Sequence, residues 1–166
     1  MKRIITTFLS ALLFTSTVFA CGFHNDTGLI AVPNHPGIML TIPSIQTAIE
    51  DQTIPASEKP AAMINWQLAQ KLSATKPNHD IIFYQAIDGH YSTVSSNNFR
   101  WLEDYNSETR PPLGALMILS EMNVFNALME QQITIDQAFE KRWIHVNGPR
   151  DQREAVTHWL REAFAA

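Results

Sequence analysis

The run Ile81-Ile82-Phe83-Tyr84-Gln85-Ala86-Ile87, the dipeptide Asp88-Gly89 and the run His90-Tyr91-Ser92-Thr93-Val94 decide the fold class. β-Branched and aromatic residues dominate both runs, and such side chains suit a pleated, half-buried surface. Asp-Gly between them supplies the positive φ that a tight hairpin turn requires. The stretch therefore predicts two antiparallel strands, and the elements on either side decide what covers them.

Amino-terminal to the hairpin, the spacing predicts two helices. Pro43 stands where a helix starts, with Ile45, Ala48 and Ile49 as a short apolar stripe ending near Asp51. In the second helix Ser57 is the expected cap, Glu58 suits the first turn, and Pro60 is tolerated that early. Ala61, Ile64, Leu68 and Leu72 recur on one face; Met63, Trp66 and Ala69 widen it, so a largely buried helix is expected. Upstream of Pro43, the spacing of Gly22, Gly28, Pro33, Pro36 and Gly37 predicts an extended arm over residues 21–42.

Carboxyl-terminal to the hairpin, the polar stretch from Ser95 to Pro112 carries Phe99, Trp101 and Tyr105, which suits one irregular strand, a lid-like loop or a satellite apolar cluster. Leu113 to Leu119 is an apolar run, and Ser120 is the expected cap of a helix with Val124, Phe125, Leu128 and Met129 on one face. Thr134 to Gln137 has the Thr-x-x-Gln pattern of a capping box, with Ala138 and Phe139 facing inward. Trp143-Ile144-His145-Val146 reads as a strand stopped by Asn147-Gly148-Pro149. Asp151 is the expected cap of a last helix with the stripe Ala155, Val156, Trp159, Leu160, Ala163 and Phe164.

This order, from Leu113 to Phe164, resembles the carboxyl half of the sterol carrier protein family, also called non-specific lipid-transfer proteins. It covers about a third of the chain beyond residue 20. The chain departs from the family at two positions: the family places Gly near the position held here by Gln131, and Gly or a small residue near Arg142. The resemblance implies an α+β fold, with a small mixed or antiparallel sheet of four to five strands under helices, around an apolar tunnel for acyl chains, sterols or phospholipids. Ile82, Tyr84, Met117, Phe125, Leu128, Met129 and Phe139 are the candidate lining residues; ordinary core packing is the other reading of each.

Residues 1–20 read as a secretory signal: Lys2 and Arg3, an apolar stretch from Ile4 to Phe14, then Val18-Phe19-Ala20. The stretch is well short of the ~20 residues that span a bilayer, so no transmembrane segment is expected. Cleavage after Ala20 would remove two cations and no acid, moving the formal charge from −4 to −6. An acidic exported domain lacks the clustered cations that nucleic acid demands. A single domain over residues 43–166, periplasmic or secreted, follows.

Cys21 is the sole cysteine, so an internal disulfide is excluded. As the first residue after cleavage it is either acylated, anchoring the chain to the envelope, or a free thiol. The start Cys21-Gly22-Phe23-His24 is also similar to exported proteobacterial proteins. Cys21, His24 and His35 form a thiolate and imidazole set suited to copper or zinc. His79, His90, His145 and His158 are scattered and read as surface or hydrogen-bonded histidines, with His145 facing away from Ile144 and Val146.

Gly-x-Ser-x-Gly, His-Glu-x-x-His and phosphate-cradling glycine loops are missing from the sequence. Glu103-Asp104 reads as a solvated pair, and Glu121 is explained by a helix dipole. The expectation is a binding protein, not an enzyme, without cofactor. It would hold a small hydrophobic or lipid-like ligand in an apolar cavity. The alternatives are a metal-binding accessory protein and a cell-envelope interaction module without small ligand.

Overall fold

In a strand, successive side chains point to opposite faces, and Ile81–Gln85 uses both. Ile81 and Phe83 enter one apolar layer, while Ile82 and Tyr84 enter another. This strand is β1 of a computed structural model that describes residues 35–73, 79–87, 89–94, 103–104, 111–112 and 114–165. The elements are α1 (Ile38–Glu50), α2 (Ala61–Leu72), β1 (Ile81–Gln85), β2 (His90–Val94), β3 (Glu103–Asp104), β4 (Met117–Ser120), α3 (Met122–Met129), α4 (Ile135–Glu140), β5 (His145–Asn147) and α5 (Arg150–Ala163).

Among the described residues the sheet has five strands in the order β3-β2-β1-β4-β5. The β1–β2 hairpin forms as the sequence predicts, antiparallel from Ile81 opposite Val94 to Gln85 opposite His90. Gly89 takes φ 73° in its turn and donates its amide to the Gln85 carbonyl at 2.8 Å. β4 lies parallel to β1, Ile82 beside Met117 and Gln85 beside Ser120, which makes the sheet mixed. β5 is antiparallel to β4 and forms an edge. The class is α+β, as the sequence indicates.

One face of the sheet is covered by α2, α3, α4 and α5. Leu68, Leu72, Phe125, Ala138, Val156, Trp159 and Leu160 meet Phe83, Ile118 and Val146 there. On the other face Tyr84, Ala86, Met117 and Leu119 pack with Ile38 and Ile42 of α1. Further along the same helix, Ile45 and Ala48 reach the first layer, so α1 ties the two together.

Several element ends differ from the sequence reading. α1 starts at Ile38, so residues 38–42 are helical rather than extended, and Pro43 lies inside the helix. Starting after Gly37 confines the loss to one intrahelical bond near the amino end. α2 starts after Pro60, and Ser57 instead accepts the Lys59 amide. Ser120 is the last residue of β4, donating its hydroxyl to the Trp143 carbonyl at 2.8 Å; Glu121 is the cap position of α3. β5 is displaced two residues along from Trp143, and α5 starts at Arg150 ahead of Asp151. The Thr134 capping box is present with both of its bonds.

Met63 and Trp66 are the larger correction. At 3.6 residues per turn they stand roughly 150° from the Ile64–Leu68–Leu72 row, and both project into solvent, 49% and 64% exposed. Residues 1–34 and the aromatics Phe99, Trp101 and Tyr105 lie outside the described residues, as does Asp88.

α3 and α4 both end with a residue at positive φ: Gln131 at 57° and Arg142 at 61°. In each case the next amide reaches back to the carbonyl three residues before the helix cap, Gln132 to Ala127 and Trp143 to Ala138. This is the Schellman arrangement, which glycine fills without a Cβ penalty. Gln131→Gly is therefore expected to raise unfolding stability by about 0.5–1 kcal/mol, measured by urea titration. Gly37→Ala has the opposite sign. Gly37 stands at φ 84°, and an added Cβ would come within 2.4 Å of the His145 ring, so a loss of about 2 kcal/mol or more is expected.

Candidate functional site

The sheet separates the seven residues that the sequence offers as a ligand wall. Ile82, Tyr84 and Met117 belong to the α1 face. Phe125, Leu128, Met129 and Phe139 belong to the helix-covered face. Phe125 is sealed in the core, edge-on to Phe83 at 5.5 Å and 6.0 Å from Phe164. Met129 and Phe139 are only half-buried, and each lines a different groove on the helix side.

Of the metal-ligand set, Cys21 and His24 lie outside the described residues. His35 is buried against the second face. Its Nε2 is hydrogen-bonded to the Tyr91 hydroxyl at 3.0 Å, and its ring stands edge-on to Tyr84 and Tyr91. Tyr84 and Tyr91 are themselves 4.4 Å apart, opposite one another across the hairpin. The histidine thus joins an aromatic cluster that fastens the start of α1 to the sheet. Among the described residues, no three His, Cys, Asp or Glu side chains stand together as a metal cage, and no helix is long and apolar enough to cross a membrane.

The first groove, about 440 Å³, lies between α2 and α3. Trp66, Gln67, Gln70 and Lys71 form one wall, Met129 and Glu130 the other, and Lys59 closes an end. Lys59 holds Glu130 at 2.6 Å, which bridges the groove's polar margin. Lys71 lies over the Phe164 ring at 5.6 Å, so its alkyl stem extends along the apolar surface. Burial of Ile64, Leu68 and Leu72 fixes α2 with Trp66 outward. The sequence contains that signal in helical phase, once Met63 and Trp66 are separated from the core row.

The second groove, about 450 Å³, follows β5, the edge strand among the described residues. Phe139, Ile144 and Val146 supply apolar surface, and Arg142, His145, Arg153, Glu154, Thr157, His158 and Arg161 the polar margin. Five of those residues, Arg153, Glu154, Thr157, His158 and Arg161, come from α5, outside its Val156–Trp159–Leu160 stripe. Nothing in a linear reading brings Arg142 to Arg153; only the packing of α5 beside β5 does.

His145 faces away from Ile144 and Val146, as the alternation predicts. It is half-buried beside Gly37 and donates from Nε2 to Asn147 Oδ1 at 3.2 Å. Asn147 in turn donates to the Pro36 carbonyl at 2.8 Å. Desolvation pushes the His145 pKa below its ordinary 6.5, outweighing the raising effect of Asn147, and Arg153 and Arg142 lower it further. Glu121 is buried just past the end of β4, where its carboxylate accepts the Ile87 amide. The bond joins the β1–β2 loop to the start of α3, a role beyond the helix-dipole one.

No family model matches the chain, and no curated protein sequence matches it. Among solved structures, the apo form of sterol carrier protein 2 from Yarrowia lipolytica matches at a TM-score of 0.36 and 15% identity, over 76% of this chain and 98% of that one.

The unfolded chain binds a proton at His145 more readily than the folded one, so acidification favours unfolding. The stability supplied by the neutral ring is present above pH 6.5 and declines as the pH falls below it. Urea unfolding of the wild type and His145→Gln between pH 7.5 and 5.5 should therefore show the steeper acid loss in the wild type.

Proposed function

We propose that this chain is an exported protein that binds a small hydrophobic or lipid-like molecule, without covalent chemistry, in the groove between α2 and α3. The observation that carries this reading is Trp66, a large apolar ring left 64% exposed with Met63 beside it on the helix and Met129 across the groove. Large apolar surface in water beside a concave site is characteristic of binding surfaces, because its removal from water contributes ~25 cal/mol per Å². The groove's volume falls in the range of small-molecule sites. Met129 adds a flexible thioether that adapts to ligand shape. Export rests on the signal-like residues 1–20, and an acylated Cys21 would place the groove at the envelope surface.

A second reading has its own observation. Met39 and Leu40, on the outward side of α1, are also exposed and line neither groove. They suit an envelope interaction module, for which Trp66 would be part of a protein contact.

Titration with N-phenyl-1-naphthylamine, a neutral fluorophore, tests the first reading. The wild type is expected to bind it, and Trp66→Ala to weaken binding about tenfold, or ~1.4 kcal/mol, with stability within about 0.5 kcal/mol of wild type. Absence of binding, or equal affinity in Trp66→Ala, contradicts the reading and favours the interaction module.

A further inference from the structure

We propose that the groove along β5 is a second, separate binding site, one that takes a phosphate group, either free or carried on a small organic body. The sequence is acidic overall, yet three of its seven arginines, Arg142, Arg153 and Arg161, line this one groove. Their ion pairs divide them. Arg161 holds Asp136 at 3.0 Å and lies over the Phe139 ring at 5.4 Å. Glu154, the carboxylate in the lining, turns to Arg150 at 2.9 Å, and His158 pairs with Glu162 at 3.2 Å. Arg142 and Arg153 have no ion-pair partner among the described residues.

These two arginines approach from different elements, Arg142 from the end of α4 and Arg153 from α5. Both line the groove together with His145 of β5. Guanidinium forks match the oxygens of a phosphate in pairs, and two of them converging on one anion give a charge-assisted, oriented contact. Apolar surface from Phe139, Ile144 and Val146 excludes water from one side and strengthens that contact. It also leaves room for a small organic body attached to the phosphate. Two uncommitted cations suit one such group, not the long phosphate array of a nucleic acid.

Arg142 adds a separate handle. It stands at φ 61° in a cap position that glycine occupies at lower cost. Removing its side chain therefore separates folding from binding, because Arg142→Gly relieves the backbone while deleting the guanidinium.

Isothermal titration of the purified full chain with phenyl phosphate, inorganic phosphate and phenol provides the test. Phenyl phosphate is expected to bind, phenol not to bind, and Arg142→Gln and Arg153→Gln each to weaken phenyl phosphate about tenfold. Arg142→Gly should weaken binding to the same degree while raising the unfolding temperature. Trp66→Ala should leave phosphate binding unchanged, which keeps this site distinct from the α2–α3 groove. Inorganic phosphate that binds and competes assigns the site to the free anion; phenyl phosphate binding alone assigns it to a carried phosphate. A wild type that binds neither, or arginine variants that bind as the wild type does, would overturn the proposal.

Discussion

β1 is buried on both faces, and the rest of the molecule depends on the register that this imposes. Ile81 and Phe83 must face the helices and Tyr84 the other layer, so a one-residue slip against β4 would exchange the two sets. The parallel pairing with β4 is extended at both ends, by Ile82 donating to the Leu116 carbonyl at 3.0 Å and Ala86 to that of Ser120 at 2.9 Å. With β1 and β4 fixed, β2 and β5 can only add at the outside.

The strand ends are then fastened by polar groups that the apolar pattern does not require. Glu121 takes the Ile87 amide, Ser120 donates to Trp143, and Asn147 donates to Pro36. Each satisfies a backbone group where regular pairing stops. The last also seats α1, whose Gly37 sits against His145 with no room for a Cβ. Both grooves lie at the margins of this framework, where helix faces not used by the core meet. The core supplies rigidity, and the outer faces of α2 and α5 supply the chemistry.

The local features of this chain were legible in the sequence. The hairpin, the Thr134 capping box and the α5 stripe follow from period and turn chemistry, which act within a few residues. Helix starts were less legible, because Pro43 and Ser57 each fit two roles and the choice is made by packing at Gly37 and Pro60. The ligand wall was not legible as one site: alternation in β1 and β4 sends Tyr84 and Met117 away from Phe125, and only the sheet's two-sided burial reveals it. Trp66 has the apolar character of a core residue, but its helical phase turns it away from the Ile64–Leu68–Leu72 row. Arg142 and Arg153 are brought to one groove by tertiary packing alone.

Native mass spectrometry of the protein purified without detergent from its producing cells is the direct test of ligand binding in the α2–α3 groove. If the α2–α3 groove holds a hydrophobic molecule, the spectrum shows a non-covalent adduct with the mass of a lipid or other small hydrophobic molecule, stripped by organic solvent and reduced when Trp66 is replaced by alanine. A chain that carries no such adduct, or one whose adduct is indifferent to Trp66, would contradict binding there.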